Sequence, residues 1–232
     1  MLTHVLSAIS ECDNGRQLAF KGGTALRLCH LDSYRYSADL DFSLIGERSV
    51  EDARASIQQA LLEVKGRFGF PSLRMNDASP PRIEYVGPLG AKPRLLKLDL
   101  ATDELVENTE KLPVVQRYSD QTPCECLVYT LEEITAEKLR CVIQRLQCRD
   151  LYDLNELLVI QGVDAESIWP LFERKAWHRK VDPHQFAQRF SQRVPEWKAR
   201  WARELPEYII GEMPDVESVL RAVRRELRFV LR

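Results

Sequence analysis

FKGGTALRLCHLDSYRYSADLDFSL, residues 20–44, is the stretch that decides the fold of this chain of 232 residues. A short apolar run ends at Gly22 and Gly23, and a helical pattern of apolar residues begins at Thr24. A glycine turn at the start of a helix offers unshielded backbone N–H groups and the positive end of the helix dipole. Gly22, Gly23 and Thr24 are therefore candidate residues for binding phosphate.

Two aspartates follow the turn within an alternating segment, where Asp39 and Asp41 flank Leu40. Residues i and i+2 of a strand share a face, so both carboxylates are predicted to point one way while Leu40 faces the core. Adjacent carboxylates repel unless a cation lies between them, and a hard divalent metal with oxygen ligands is the usual cation. Metal carboxylates beyond a phosphate-binding turn favour nucleoside triphosphate chemistry. A solvated strand face is the alternative.

The two motifs together resemble the nucleotidyltransferase superfamily related to DNA polymerase β. The strings KGGTAL (residues 21–26) and RYSADLDF (residues 35–42) resemble its AbiEii/AbiGii toxin branch. The resemblance implies an α+β fold, with a polymerase β-like lobe built on a mixed or antiparallel sheet and a helical C-terminal lobe. Lys21 and Arg35 lie inside these strings and are expected to steer phosphate or to pair with carboxylates.

The same resemblance implies an activity and partners. The protein is expected to be the toxin of a toxin–antitoxin or abortive-infection system used in phage defence, and to transfer a nucleoside monophosphate from an NTP to an acceptor. The implied cofactor is Mg²⁺ or Mn²⁺, the favoured acceptor is tRNA, and the implied protein partner is a cognate antitoxin. Nucleotidylation of a protein hydroxyl, or a non-catalytic RNA- or partner-binding module with the same fold, are the alternatives.

A third carboxylate is predicted from LLKLDL, residues 95–100, in which alternate leucines share one face and leave Lys97 and Asp99 on the other. An acid inside an apolar strand is costly unless it is paired or bound to a cation. The superfamily uses a third carboxylate on a neighbouring strand, and Asp99 resembles it. Asp99 is thus the predicted third metal ligand and a candidate general base. A surface acid on an edge strand is the alternative.

The rest of the N-terminal part is predicted from its turn and cap residues. Ser49 resembles a helix cap, and that helix is expected to run to Gly66. Prolines and glycines divide residues 70–102 into short strands of an antiparallel meander. Residues 103–125 are expected to be irregular, and one more strand is expected from residue 126.

Two helices then carry the second resemblance to the AbiEii family. Thr130 begins a capping box before the helix that contains Lys138, and RDLYDL begins at Arg149 with Asp150 and Asp153. The family implies that a lysine and an aspartate of such helices face the nucleotide. Lys138 is expected to supply charge without a packing role, and Asp150 or Asp153 to orient the triphosphate or a hydroxyl. Pairing of Arg149 with an aspartate, locking the helices together, is the alternative.

The C-terminal third is basic and rich in tryptophan. Residues 171–232 carry 14 basic and 9 acidic side chains, whereas the preceding residues carry 19 and 26. Arginines and aromatic residues suit RNA binding, and a helical core with a solvated basic face is the alternative. Helix breaks are expected at Pro183, Pro195, Pro206 and Pro214, and Trp197 and Trp201 share a helix face. The predicted basic stripe of the last helix comprises Arg221, Arg224, Arg225 and Arg228.

Composition places the chain among ordinary soluble globular proteins, with 44% hydrophobic and 29% charged residues. Neither a membrane-spanning apolar run nor a leader is recognisable, so a cytoplasmic location without a membrane partner is expected. The six cysteines are expected to be free thiols. We predict a nucleotidyltransferase domain over residues 1–125 and a helical domain over residues 126–232, the latter contributing Lys138, an aspartate and a basic surface.

Overall fold

The computed structural model describes residues 1–12, 17–46, 49–76, 78, 80–87, 90 and 92–231. The chain forms two compact units, and neither is a single continuous segment. The first comprises Met1–Ser33, Ser37–Thr102 and Thr109–Tyr129, and the second comprises Tyr34–Tyr36, Asp103–Asn108 and Thr130–Arg232.

A mixed seven-stranded sheet forms the centre of the first unit, with the order β3-β4-β5-β2-β1-β7-β6. β1 pairs with β2 in antiparallel and with β7 in parallel, β2 pairs with β5 in parallel, and the remaining pairs are antiparallel. The α+β class with a mixed sheet is thus confirmed. The strands are β1 Leu18–Lys21, β2 Leu40–Leu44, β3 Ser72–Met75, β4 Arg82–Val86, β5 Arg94–Ala101, β6 Thr109–Pro113 and β7 Glu125–Tyr129.

Helices cover one face of this sheet. Ile57 and Leu61 of the longest helix of this unit pack in one core with Phe42, Ile83 and Leu98 of the strands. The strands alternate, so the residues between these apolar positions point to the opposite face. The helices of the first unit are α1 Leu2–Glu11, α2 Gly22–Ala25, which continues as a π-helical turn over Leu26–His30, and α3 Val50–Phe68.

Two predicted boundaries of this unit are corrected. Ser49 caps α3 by accepting the N–H of Asp52, but the helix runs to Phe68, where Gly69 ends it with a φ of 64°. Gly66 is tolerated inside the helix because neighbouring side chains, not propensity, stabilise it. Residues 103–125, expected to be irregular, contain β6. This strand is only partly buried and has few apolar residues. The meander over β3, β4 and β5 is confirmed.

Helices make up the second unit. Capping side chains begin four of them, since Thr130, Asp164, Asp182 and Asp215 each accept a backbone N–H of the following turn. The helices are α4 Leu131–Gln144, α5 Cys148–Asn155, which continues as a π-helical turn over Glu156–Ile160, α6 Ala165–His178, a 3₁₀ turn over Pro183–Gln185, α7 Phe186–Glu204 and α8 Val216–Glu226.

The expected break at Pro195 is wrong, and for two tryptophans the alternative of a packed helical core is the correct one. Pro195 lies inside α7, which continues through it. Trp197 and Trp201 are 0% and 2% exposed and belong to the core, so they cannot stack on bases. The apolar side of α8 faces the same core through Val219, Leu220 and Val223.

The two early segments of the second unit are held there by hydrogen bonds. Tyr36 donates its N–H to the carbonyl of Tyr208 at 2.6 Å. The buried Glu133 carboxylate accepts the N–H groups of Glu107 and Asn108 at 3.3 and 3.1 Å. β7, which spans the predicted domain boundary at residue 125, belongs to the first unit together with the rest of the sheet.

Two further properties concern the described residues as a whole. No helix among them is long and apolar enough to cross a membrane. All six cysteines are described, and all are free thiols.

Candidate functional site

The Gly-Gly turn lies directly against the Asp-x-Asp motif. Gly22 follows β1 with a φ of 76°, and a Cβ atom at this position would lie 3.0 Å from Oδ2 of Asp41. Lys21, the last residue of β1, is the register partner of Asp41. A side chain at position 22 would therefore be strained and would displace the carboxylate, so glycine is required for the approach.

The structure brings together the three predicted metal ligands on the face of the sheet opposite the core. Asp41 is the register partner of Asp99 in the parallel pair of β2 and β5. Asp39 precedes β2, and its Oδ2 lies 3.7 Å from Nζ of Lys97. β5 lies between β4 and β2, so the alternative that Asp99 is an acid on an edge strand is wrong.

The electrostatics of Asp41 reflect this crowding. Burial and the neighbouring carboxylates of Asp39 and Asp99 raise the pKa of Asp41 to about 6, although Lys97 and Lys21 oppose the shift. Among the described residues, no group of three or more His, Cys, Asp or Glu side chains is arranged to hold a metal ion as it stands. The arrangement is nevertheless an unbalanced set of oxygen donors, which is the chemistry that a hard divalent cation complements.

The other predicted phosphate-binding residues fix the turn in place. Thr24 is fully buried, and its hydroxyl donates to the Ser37 hydroxyl at 2.9 Å. Arg27 donates to the Ser37 carbonyl at 3.0 Å, so the helix after the turn is tied to the segment before Asp39. Lys21 is buried as well, with Nζ 5.8 Å from the ring centroid of Tyr129. Phosphate binding by these residues stays a prediction.

Gly22→Ala tests the close approach of the turn. We expect it to lower the free energy of unfolding by about 1–2 kcal/mol from the positive φ, and by more from the contact with Asp41. Gly69→Ala is the matched control, because Gly69 also has a positive φ but its Cβ would meet nothing within 4 Å. Chemical denaturation measures both. Equal losses for the two variants would contradict a tight approach to Asp41.

The second unit joins four predicted site residues and the half-exposed Arg145 in one chain of charges, which we call the ion chain: Arg35, Asp153, Lys138, Asp150 and Arg145. Arg35 donates to both oxygens of Asp153 at 2.6 and 2.8 Å. Lys138 lies 2.6 Å from Asp153 and 2.9 Å from Asp150. Arg145 donates to both oxygens of Asp150 at 2.8 and 3.0 Å. Positive and negative groups therefore alternate along it.

Burial makes the pairing in the ion chain strong. Asp150 and Asp153 are 0% exposed. Burial alone would raise the pKa of Asp153, but Arg35 and Lys138 outweigh it and hold that pKa well below its usual range. The Tyr34 hydroxyl donates to the same carboxylate, and burial together with Asp153 raises the pKa of Tyr34.

Two expectations about this part of the chain are corrected. Lys138 is 6% exposed and holds two buried carboxylates, so the expectation that it has no packing role is wrong. Arg149 donates to Gln147 at 2.8 Å, and Arg145 takes the place that the alternative gave to Arg149. Direct contact of Lys138, Asp150 or Asp153 with a nucleotide stays a prediction.

Lys138→Met is predicted to destabilise the protein strongly, because it leaves two buried carboxylates without a shared cation. We expect a loss of about 3–5 kcal/mol in the free energy of unfolding. Lys198→Met removes a lysine from an exposed pair with Glu217, 2.6 Å long, and is expected to cost less than about 1 kcal/mol. Urea denaturation of both variants measures the difference. A Lys138 variant as stable as the Lys198 variant would contradict the structural importance of the ion chain.

Comparisons with known proteins agree with the fold and the motifs. The model of the family described as nucleotidyl transferase AbiEii toxin, type IV toxin–antitoxin system, matches residues 4–224. The chain belongs to this family. It is accordingly a nucleotidyltransferase toxin of a type IV toxin–antitoxin system, and the resemblance carried by the two motif pairs is confirmed.

Solved structures show the same fold. MenT4, a nucleotidyltransferase toxin from Mycobacterium tuberculosis H37Rv, is 24% identical with a TM-score of 0.67, covering 98% of this chain and 80% of that one. JHP933 from Helicobacter pylori is 14% identical with a TM-score of 0.59, covering 99% of this chain and 89% of that one. No curated protein sequence matches the chain significantly.

Sequence reasoning gave no role to three residues that now border the predicted site residues. Lys97 contacts Asp39, and it could have been found because it lies two positions before Asp99 in an alternating strand. Arg145 and Tyr34 bind Asp150 and Asp153. No sequence signal identifies Arg145. It lies in the turn after α4, and its contact with Asp150 depends on how the backbone folds between α4 and α5.

Proposed function

We propose that this toxin transfers a nucleoside monophosphate from an NTP to tRNA in a Mg²⁺-dependent reaction. The observation that carries the proposal is the arrangement around Asp41, where Gly22 approaches the carboxylate and Asp99 lies beside it. Membership of the AbiEii family supplies the reaction class, the NTP and an antitoxin partner. The metal, the acceptor and the roles of individual residues are our proposals.

The carboxylates fit a divalent cation by charge and by donor type. Asp39, Asp41 and Asp99 would hold it, and the cation would offset both the burial of Asp41 and the repulsion among the carboxylates, which together raise the pKa of Asp41. When bound, Mg²⁺ supplies neutralisation of the charge that develops on the transferred phosphate. A cation of this kind would also replace Lys97, whose ammonium lies 3.7 Å from Oδ2 of Asp39.

The proposed step is a displacement at the α-phosphorus. An acceptor hydroxyl oxygen forms a bond to the α-phosphorus, the bond from that phosphorus to the bridging oxygen breaks, and pyrophosphate leaves with the electron pair. Asp99 takes the proton of the hydroxyl, because it is exposed on β5 beside Asp41. Backbone N–H groups of Gly22, Gly23 and Thr24 bind phosphate oxygens, and Lys21 adds positive charge.

The ion chain of the second unit has two proposed roles. Lys138 supplies positive charge for the triphosphate, as the family resemblance implies, and Asp150 and Asp153 hold its ammonium in place. Both carboxylates are fully buried and bound by arginines, which favours positioning over direct contact with the nucleotide. Arg35 belongs to the ion chain and acts on Asp153, so pairing with a carboxylate is favoured over steering phosphate.

The four arginines of the basic stripe are proposed to bind the acceptor. Arg221, Arg224, Arg225 and Arg228 are all exposed, and the last of them follows the end of α8. Arg225 is partly compensated by Glu226 at 2.9 Å. A basic surface of this kind binds a polyanion through its phosphates, independently of base sequence.

Asp41→Asn is predicted to abolish transfer from every NTP to total tRNA, since an amide has nearly the same shape but no charge for a metal. The assay incubates the protein with each labelled NTP and total tRNA and follows the label into RNA. We expect a loss of at least about 10²-fold in rate. Transfer at the wild-type rate would rule out Asp41 as a metal ligand, and label in protein would favour a protein hydroxyl as the acceptor.

The stability of the same variant is its control for folding. The raised pKa of Asp41 means that its ionised form disfavours the folded state. This penalty is absent below the ordinary aspartate pKa of 3.8, grows as pH rises from there to about 6, and is complete above it. With a chelator present, Asp41→Asn is therefore expected to be more stable than wild type at pH 8, by on the order of 1–3 kcal/mol, and equally stable at a pH below about 4. A less stable variant at pH 8 would contradict this electrostatic account.

Replacing all four arginines of the basic stripe by glutamine is predicted to weaken tRNA binding without changing NTP binding. The slope of log affinity against log salt should become shallower by about 2–3, because fewer counterions are released. Arg200→Gln is the control, since Glu196 and Glu204 already compensate Arg200 at 3.4 and 3.6 Å. Superimposable salt series for wild type and the quadruple variant would show that the stripe is only a solvated face.

A further inference from the structure

A line of charged side chains crosses the face of the sheet opposite the core, next to the carboxylates. Leu40 is the register partner of Leu98, which places Asp39 beside Lys97, in agreement with the 3.7 Å between their charged atoms. Arg82 is the register partner of Lys97 in the antiparallel pair of β4 and β5. Arg82 on β4, Lys97 on β5 and Asp39 just before β2 therefore lie in line, and we call them the Lys97 row.

Two cations of the Lys97 row lie directly opposite each other, which is an unfavourable cross-strand pair. Lys97 is 48% exposed, and Arg82 is exposed as well. The backbone of Arg82 is fixed, because its N–H and its carbonyl both bind Asn76 at 2.9 Å. Within the described part of the chain, the Arg82 guanidinium forms no ion pair. An anion bound between the two side chains would remove their repulsion.

The next line of side chains on this face, Arg74, Glu84 and Leu95, carries no uncompensated positive charge. Arg74 and Glu84 are register partners on β3 and β4, and Nη2 of Arg74 lies 2.9 Å from Oε2 of Glu84. Their charges compensate each other. Leu95, the β5 residue of this line, is 55% exposed and points to the same face as Lys97. Among the described residues of β3, β4 and β5 that point to this face, the uncompensated positive charge is thus confined to the Lys97 row, beside an exposed apolar side chain.

The position of the Lys97 row favours the acceptor, rather than the NTP, as the source of a phosphate bound there. In the order β4-β5-β2-β1, the aspartates on β5 and β2 lie between Arg82 on β4 and the Gly22 turn after β1. The proposed function assigns the phosphates of the NTP to the turn. Attacking and leaving oxygens lie on opposite sides of the phosphorus in such a transfer, so the acceptor approaches from the β4 side.

We propose that Lys97 and Arg82 bind a backbone phosphate of the RNA acceptor close to its reacting hydroxyl. The inference rests on the proposed function and adds a binding site for the acceptor on the first unit. A guanidinium binds phosphate through two parallel N–H groups, and the ammonium adds a point charge. Lys97 is two residues from Asp99 along β5, a distance of about 7 Å. The bound phosphate therefore lies within one or two nucleotides of the hydroxyl that Asp99, the proposed general base, deprotonates.

The test compares the double variant Lys97→Gln/Arg82→Gln with Arg94→Gln. Arg94 is exposed on the same strand but lies three residues from Lys97, and therefore on the other side of the alternation. The measurements are the affinity for total tRNA over a salt series and the affinity for each NTP, with thermal unfolding to verify folding. Arg82→Gln alone changes an exposed side chain and serves if the double variant does not fold.

We expect the double variant to bind tRNA about tenfold more weakly at low salt, with a salt slope shallower by about 1, and to bind NTP as wild type does. Arg94→Gln should match wild type in both. Unchanged tRNA affinity of the double variant would overturn the inference, whether or not its NTP affinity is weakened. Failure of the wild type to bind tRNA would overturn the inference and the proposed acceptor together. Weakened tRNA binding without any transfer by wild type would leave the site standing and refute the reaction.

Discussion

Burial of Asp41 and its repulsion by neighbouring carboxylates form the constraint on which the proposed active site of the first unit depends. Asp41 is held beside Asp99 by strand register and against Gly22 by the turn after β1, so it cannot move away from its neighbours. Asp39, Asp41 and Asp99 lie on the face of the sheet opposite the apolar core, and the alternating apolar residues of the same strands pack into that core. The apolar core and the carboxylates of the proposed active site therefore lie on opposite faces of one sheet.

In the second unit, by contrast, nearly every charged group of the ion chain is buried and forms an ion pair with a group of opposite sign. Desolvating such groups is expensive, and alternation of sign from Arg35 to Arg145 compensates for it. Replacing every member of such an arrangement by apolar residues is often neutral for stability, whereas removing one member leaves a buried charge uncompensated. The buried ammonium of Lys138 is held between two carboxylates and so has a defined position.

The sequence was sufficient for features governed by local rules. Strand alternation correctly placed Leu98 in the core and Asp99 on the open face, and cap residues correctly located the starts of α3 and α4. Features set by tertiary contacts were not accessible: Pro195 continues a helix whose buried face stabilises it, and β6 is defined by its partner β7. The pairing of Arg35 with Asp153 joins residues far apart in the chain, and neither residue identifies the other.

That pairing has a consequence for how the protein is made. Arg35 and Asp153 are separated by 118 residues, so a ribosome adding about 5–20 residues per second synthesises the arginine on the order of 10 seconds before its carboxylate. No single cut in the chain separates the two units, because the second also includes Tyr34–Tyr36 and Asp103–Asn108. A truncated or prematurely released toxin therefore lacks a complete second unit, and full assembly must await the final helices.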